Sequence, residues 1–365
     1  MAGGPLVLTL DAGGTTFAFS AVQDGREALA PVVLPAMGGD LEACLGQVLK
    51  GFGAVHEATG KQARAISFAF PGPADYPRGV IGDLKNLPGF RGGVPLGPLL
   101  EERFQLPVFI NNDGDLFAYG EALAGRLPEV NAELEAAGSP FRHRHLLGLT
   151  IGTGFGAGIV AEGRLLRGDN SAAGEIWLVR SKLYPACFAE EGVSIAAVRS
   201  VYAQLAGEDA PEPKVLADIA RGSAPGHRAA ACEAFRALGE AAGDAIANAL
   251  TLVDGLVVIG GGLSGAADLF LPALMMELNG AISTRGGSAV GRLESRAYNL
   301  EDAGERAAFM KGEAREVAVP GSGRRVAYDP LKRVGVCVSR LGAARAVALG
   351  AWAYAVDRLD ASGRR

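Results

Sequence analysis

The chain is poor in cysteine, with four in 365 residues, and Cys44, Cys187, Cys232 and Cys337 stand far apart without a C-x-x-C pair. This excludes a disulfide framework and a zinc ribbon, and a reducing compartment fits best. Long apolar runs are missing too: Leu6 to Leu10 ends at Asp11, later runs are broken by Asp254 or by glycines, and none reaches the ~18 residues of a membrane span. No basic n-region opens the chain. A soluble, cytoplasmic protein without a membrane partner is the expectation. Nor is there an excess of positive charge. Lys and Arg total 35 against 40 Asp and Glu, a formal charge of -5. That leaves no general electrostatic basis for binding nucleic acid, so any bound anion must be held locally.

What the chain does have is glycine, 53 residues of it, in clusters between apolar runs. Such clusters turn backbone toward a ligand. Three segments follow one plan, an apolar strand that runs directly into glycines: Leu6 to Leu10 then Asp11-Ala-Gly-Gly-Thr15, Leu146 to Ile151 then Gly152-Thr-Gly-Phe-Gly156, and Leu256 to Ile259 then Gly260-Gly-Gly262. The first two share the start Leu-Thr-aliphatic, which hints at a duplicated unit. After these two turns the chain re-enters strand-like sequence, Phe17 to Val22 and Ala157 to Ala161, predicting hairpins. The third turn leads instead into helical spacing over Ala266 to Leu278, with Pro272 near its start. Further helices are predicted at Leu41 to Phe52, Leu116 to Ala124, Ser194 to Leu205, Ala229 to Leu252 and Ala343 to Leu359, and strands at Ala65 to Phe70 and Val108 to Asn111. A chain of this length exceeds the usual ~150 residues of one domain, and strands alternate with helices in both halves, so the expected class is a two-lobed α/β protein. Residues 280–332 depart from the rhythm, with many charges and a hairpin-like Val317 to Val326, and read as an insertion.

Phosphate binding needs backbone N–H groups aimed at the anion with no Cβ in the way, which Gly-Gly after a strand provides. Asp11 beside Gly13, Gly14 and Thr15 adds a carboxylate where a magnesium ion on the phosphates would sit. An ordinary hairpin turn is the alternative. Gly152-x-Gly154-x-x-Ala157 and Gly260-x-Gly262-x-x-Gly265 also satisfy a dinucleotide-binding pattern, but a strand follows the first, and no acidic strand end follows the second. No P-loop run is present. Asn112-Asp113 closes the apolar strand Val108 to Ile110. A carboxylate there suits a general base acting on an alcohol, and equally a helix N-cap. His143 and His145 lie in a basic stretch without acidic or Cys partners and read as a solvated turn.

Over nearly its whole length the chain resembles the ROK family (repressor, open reading frame, kinase) of the hexokinase and actin superfamily. Asp11-Ala-Gly-Gly-Thr15 resembles its first phosphate loop, Pro71-Gly-Pro73 and Asn86-Leu-Pro-Gly89 its sugar-side loops, and Asn112-Asp113 its catalytic dyad. Gly152 to Gly158, continued by Ala173-Gly-Glu-Ile176, resembles the second phosphate loop and the start of the sugar-binding helix, and Ile259 to Gly262 the adenosine motif. The resemblance implies two actin-like lobes with the active site in the cleft between them. These would be residues 1–117 plus 344–365, and a larger lobe 118–343 with the insertion at 280–332. It implies that a hexose hydroxyl, usually O6, attacks the γ-phosphate of ATP. Asp113 would be the base and Asp11 would hold Mg²⁺ directly or through water. Gly72, Asn86, Asn112, Asp113, Glu175 and Glu190 would touch sugar. Gly13, Gly14, Thr15, Gly152, Thr153, Gly154, Gly261, Gly262 and Ser264 would touch nucleotide. A homodimer is expected.

Two departures stand out. Where many members have a zinc-binding His, this chain has Leu178, and only Cys187 lies near the expected cysteine cluster. No zinc is expected, because a tetrahedral site needs four donors. Trp177 is read as a core residue or a platform for a sugar face. A polyphosphate-using kinase and a non-catalytic sugar sensor are the alternatives; a DNA-binding regulator is disfavoured because the phosphate loop begins after only ten residues.

Overall fold

Strands Val7–Ala12 and Thr16–Gln23 form an antiparallel hairpin, with Leu10 opposite Phe19 and Asp11 opposite Ala18. Parallel pairing then adds Ala65–Ala69 and Val108–Asn111 on the other side of the first strand, while Arg26–Glu27 and Val32–Pro35 both pair with the second. This sheet comes from a computed structural model that describes residues 4–363; the expected first lobe's outermost positions, 1–3 and 364–365, lie outside the described residues. One sheet face is strongly apolar. Leu8, Leu10, Phe17, Phe19, Ile66, Phe68 and Ile110 pack against Cys44, Val48, Phe52 and Val55 of the helix Leu41–Ala58. On the other face Val7 and Ala65 meet Ala355 of the C-terminal helix Ala343–Gly363.

That C-terminal helix also packs against Asp113–Ala124, where the chains approach so closely that only glycine fits. A Cβ on Gly120 would stand 2.0 Å from the Ala346 carbonyl oxygen, and one on Gly350 would stand 1.9 Å from that of Leu116. The described residues divide into two compact units: one has 4–125, 164–173 and 341–363, and the other has 126–163 and 174–340. The first therefore includes 118–125, 164–173 and 341–343, which the expected bounds gave to the second.

The second unit repeats the arrangement of the first. Leu146–Ile151 and Phe155–Ala161 form an antiparallel hairpin around the glycine turn, and Leu256–Gly260 and then Arg333–Val338 extend the sheet in parallel. The core strand Leu256–Gly260 is buried throughout. Helices Ile195–Ala206, Arg228–Val253 and Ala267–Leu278 supply much of the core beside it. Ser194 is the N-cap of the first of these, accepting from the Ala197 N–H at 3.2 Å.

Two expectations need correction. Segment 280–332 is not wholly an excursion. Arg296–Asn299 is the edge strand of the sheet, parallel to Arg333–Val338, and Ala303–Lys311 is a helix with Phe309 and Met310 buried. The hairpins Ala281–Ser283 with Ala289–Gly291, and Arg315–Ala318 with Arg325–Tyr328, form separate two-stranded sheets. His143 is not in a solvated turn either. It is buried, its ring stacked on Phe309 at 5.7 Å and edge-on to Phe141 at 4.8 Å, while His145 stays more open, 3.4 Å from Glu162. Beside it Arg333 is buried as well, covered by the Phe141 and Phe309 rings and paired with Asp329 at 2.6 Å, so the Phe141 ring and the distant strand at Arg333 together close over His143.

Candidate active site

In the first unit the glycine turn after Val7–Ala12 is tied by the Gly13 N–H donating to the Thr16 carbonyl at 3.0 Å. Gly14 and Thr15 are exposed, and nothing lies within 4 Å of where a Gly14 Cβ would be, so the backbone is open to a ligand. Asp11, also exposed, ends the preceding strand. Beyond Val108–Asn111 the chain enters the helix Asp113–Ala124, and here the structure separates the two roles that the sequence leaves open. Asn112 is the N-cap, its Oδ1 accepting from the Gly114 N–H at 2.7 Å. Asp113 is the first helical residue, its Oδ1 sharing that N–H at 2.8 Å.

Water reaches Asp113 from one side, yet the surrounding protein is the largest influence on its carboxyl and raises its pKa above the usual carboxylate range. The Gly114 N–H works against this, and the negative charge of Asp11 adds to it. The two carboxylates, remote in sequence, thus feel one another inside one unit. Among the sugar-side candidates, Gly72 and Asn86 are exposed. The loop carrying Asn86 is pinned by the buried Leu87 and Phe90, with the Gly89 N–H donating to the Gly38 carbonyl at 3.0 Å.

In the second unit the two other glycine turns lie side by side. Gly261 has φ +91, and a Cβ there would stand 2.5 Å from the Ile151 carbonyl oxygen, so the turn requires glycine. The Leu263 N–H donates to that same oxygen at 3.0 Å, and a Cβ on Gly152 would be 3.5 Å from the Gly262 nitrogen. The Ile195 N–H reaches the Gly152 carbonyl at 2.8 Å, which brings a helix start to the turn. Thr153 and Gly262 are exposed, whereas the Ser264 hydroxyl is engaged with the Gly261 carbonyl at 2.7 Å. Glu190 accepts from the Phe155 N–H at 2.8 Å, so this carboxylate is fastened to the turn containing Gly154. Trp177, half-buried and edge-on to Phe188 at 5.5 Å, donates its indole N–H to Glu175. Neither contact was expected from the sequence. A Trp two residues after a Glu, on a short helical turn, was the available signal.

Residues 7–299 match the ROK family. The chain belongs to that family. Among solved structures, this ROK chain is 54% identical to a glucokinase from Parabacteroides distasonis, with 97% of this chain and 98% of that one covered and a TM-score of 0.91. Among curated proteins it is 28% identical to a glucokinase of Thermotoga maritima over 172 residues, 47% of this chain and 49% of the relative. It is 31% identical to an N-acetyl-D-glucosamine kinase of Vibrio cholerae over 172 residues, 47% of this chain and 51% of the relative. The matched region spans about half the length of these curated relatives. Its fold is the mixed α/β, actin-like fold of ROK kinases.

The family implies magnesium with its nucleotide, and the residues present fit that ion. Mg²⁺ prefers hard oxygen donors and usually takes one or two carboxylates, completing its shell with phosphates and water. Asp11 supplies such an oxygen beside the exposed turn. Among the described residues no three His, Cys, Asp or Glu side chains gather into a metal-holding group, so the phosphates would supply the remaining donors. No described helix is long and apolar enough to cross a membrane.

Proposed function

We propose that this ROK protein is a sugar kinase that transfers the terminal phosphoryl group of ATP to a hexose hydroxyl, O6 in the first instance. The observation that carries the proposal is Asp113, a carboxylate open to water on one side whose pKa burial and Asp11 raise. A base of raised pKa is better matched to an alcohol than an ordinary carboxylate. Asp113 takes the hydroxyl proton as the sugar oxygen bonds to the γ-phosphorus, and the bond to the β–γ bridging oxygen breaks to release ADP. Asn112, whose Oδ1 is committed to Gly114, keeps its Nδ2 for a sugar hydroxyl. Gly72, Asn86, Glu175 and Glu190 hold the other hydroxyls.

The N–H groups of Gly14, Thr15, Thr153 and Gly154 face the phosphates, Gly13 and Gly152 shape those turns with N–H groups spent on the Thr16 and Gly154 carbonyls, and Gly261, Gly262 and Ser264 lie toward the nucleoside. Asp11 would hold the magnesium ion, which would supply charge neutralisation to the phosphates. Phosphoryl transfer is mainly positioning and charge stabilisation, which suits a site made of fixed glycine turns. Cytoplasmic location and a homodimer accompany this reading, and sedimentation of the purified chain tests the latter.

Glucose, mannose, fructose and N-acetylglucosamine, each paired with ATP and with polyphosphate in a product-coupled assay, test the function. ATP-dependent phosphorylation of at least one hexose is expected. Turnover with polyphosphate alone would replace ATP as donor, and no turnover with any pair would remove the reading.

A further inference from the structure

The first unit contains a cavity of about 480 Å³, bounded by the strands Val7–Ala12 and Thr16–Gln23, the short strand Arg26–Glu27 and the first turns of the helix Ala343–Gly363. This is within the range of small-molecule sites, about 300–1,000 Å³. The sheet face that supplies its floor is chemically unusual, although of that face's buried polar residues only Thr9 and Ser20 line the cavity. A sheet packed on both faces is normally apolar on both. Here the face toward the C-terminal helix carries Thr9, Ser20, Ser67 and Asn111, exposed by only 4%, 8%, 0% and 0%. The Ser20 and Ser67 hydroxyls and both amide atoms of Asn111 have no hydrogen-bond partner among the described residues. A buried hydroxyl left unpaired destabilises the fold unless something pairs it. Ser20 and Thr9 are cross-strand partners, and both line the cavity.

Arg26 and Arg345 are exposed at its edge, and no ion pair is recorded for either among the described residues. Asp11 and Glu27 also line it, so the four charges balance. Balance argues against a site for a bare polyanion. It suits a ligand with an anionic end for the arginines and hydroxyls for the carboxylates and for Ser20. Val22, Val347 and Ala348 give the remaining wall an apolar surface for C–H groups.

We infer that this cavity is a second small-molecule site, one that takes a hydroxylated phosphate monoester, with its phosphate on Arg26 and Arg345 and its hydroxyls on Glu27, Thr9 and Ser20. The inference does not rest on the kinase reading, although Asp11, which that reading assigns to magnesium, lines one end of the cavity; its test is binding without nucleotide or turnover.

Calorimetric titration of the full chain with sn-glycerol 3-phosphate, inorganic phosphate and glycerol tests it. The ester should bind, phosphate more weakly and glycerol weakest. The pair Arg26→Gln with Arg345→Gln should weaken ester binding at least about tenfold, the loss of one charge-assisted hydrogen bond. Arg345→Lys should keep most of it, and Ala348→Trp, which fills the cavity, should abolish it without lowering the melting temperature in parallel. Undiminished binding in the double arginine variant and in Ala348→Trp would place the ester elsewhere and overturn the inference, as would no binding to the wild-type chain.

Discussion

The carboxylate of Glu190 accepts a hydrogen bond from the Phe155 N–H at 2.8 Å, and a Cβ on Gly154 would lie 2.7 Å from the same carboxylate oxygen. A residue that the family resemblance assigns to sugar is thereby the fastening of a phosphate turn. Glu190→Ala should raise KM for sugar and nucleotide together, each by roughly ten- to a hundredfold, the worth of a hydrogen bond to a charged group. A rise in the sugar KM alone would mean that the contact with Phe155 does not matter to the nucleotide.

Trp177 fixes Glu175 through its indole N–H. Trp177→Phe keeps most of the ring packing on Phe188 but removes the donor, so the sugar KM should rise about tenfold while the nucleotide KM stays put. Steady-state kinetics with each substrate varied in turn decide this, and an unchanged sugar KM would contradict it.

Much of this was legible in the sequence. Each of the three glycine turns follows an apolar strand, since β-strands and glycine turns both leave short-range signals, and the Asn112-Asp113 pair stands at a strand end as expected. The strand Arg333–Val338 was not legible. It opens on a charged residue and contains Gly335, and only the tertiary arrangement, Asp329 and the Phe141 ring around a buried guanidinium, makes Arg333 an interior residue. The helix Pro213–Arg221 shows in the sequence only through its opening proline, a short-range start signal. Side-chain contacts such as Glu190 with Phe155 join residues 35 positions apart and leave no local trace.

Helix Asp113–Ala124 is held against the C-terminal helix through Gly120 and Gly350. Gly120→Val would push a side chain into the Ala346 carbonyl. Overpacking of this kind should destabilise by at least about 1–3 kcal/mol. Denaturant melts should show the loss together with reduced turnover, because this helix carries Asp113. Wild-type stability would contradict the close approach.

Burial, with Arg333 and His145 nearby, lowers the His143 pKa to about 3. A base whose folded pKa lies below its unfolded value favours the neutral form. Its stabilising contribution is therefore present above the unfolded value of about 6.5 and is lost as pH falls toward 3. His143→Phe should flatten this part of the stability curve, and urea melts at several pH values between these limits check it. An unchanged slope would mean that His143 is accessible to protons in the folded state.

The raised pKa of Asp113 has two consequences. The acid limb of kcat/KM should fall through a pKa above the ordinary aspartate value and vanish in Asp113→Asn. A carboxyl raised on folding is penalised when ionised. Its destabilising contribution is absent below the unfolded pKa, grows as pH rises from there toward the folded one and is complete above it, so Asp113→Asn should melt no lower than wild type at neutral pH. A lower melting temperature would mean that the hydrogen bond to Gly114 outweighs burial.

The most direct measurement is the turnover of Asp113→Asn with ATP and the preferred hexose, alongside calorimetric binding of that hexose to the same protein. Turnover is predicted to fall by roughly 10²–10⁴, the contribution of a general base, with sugar binding retained. Turnover close to wild type would contradict the account.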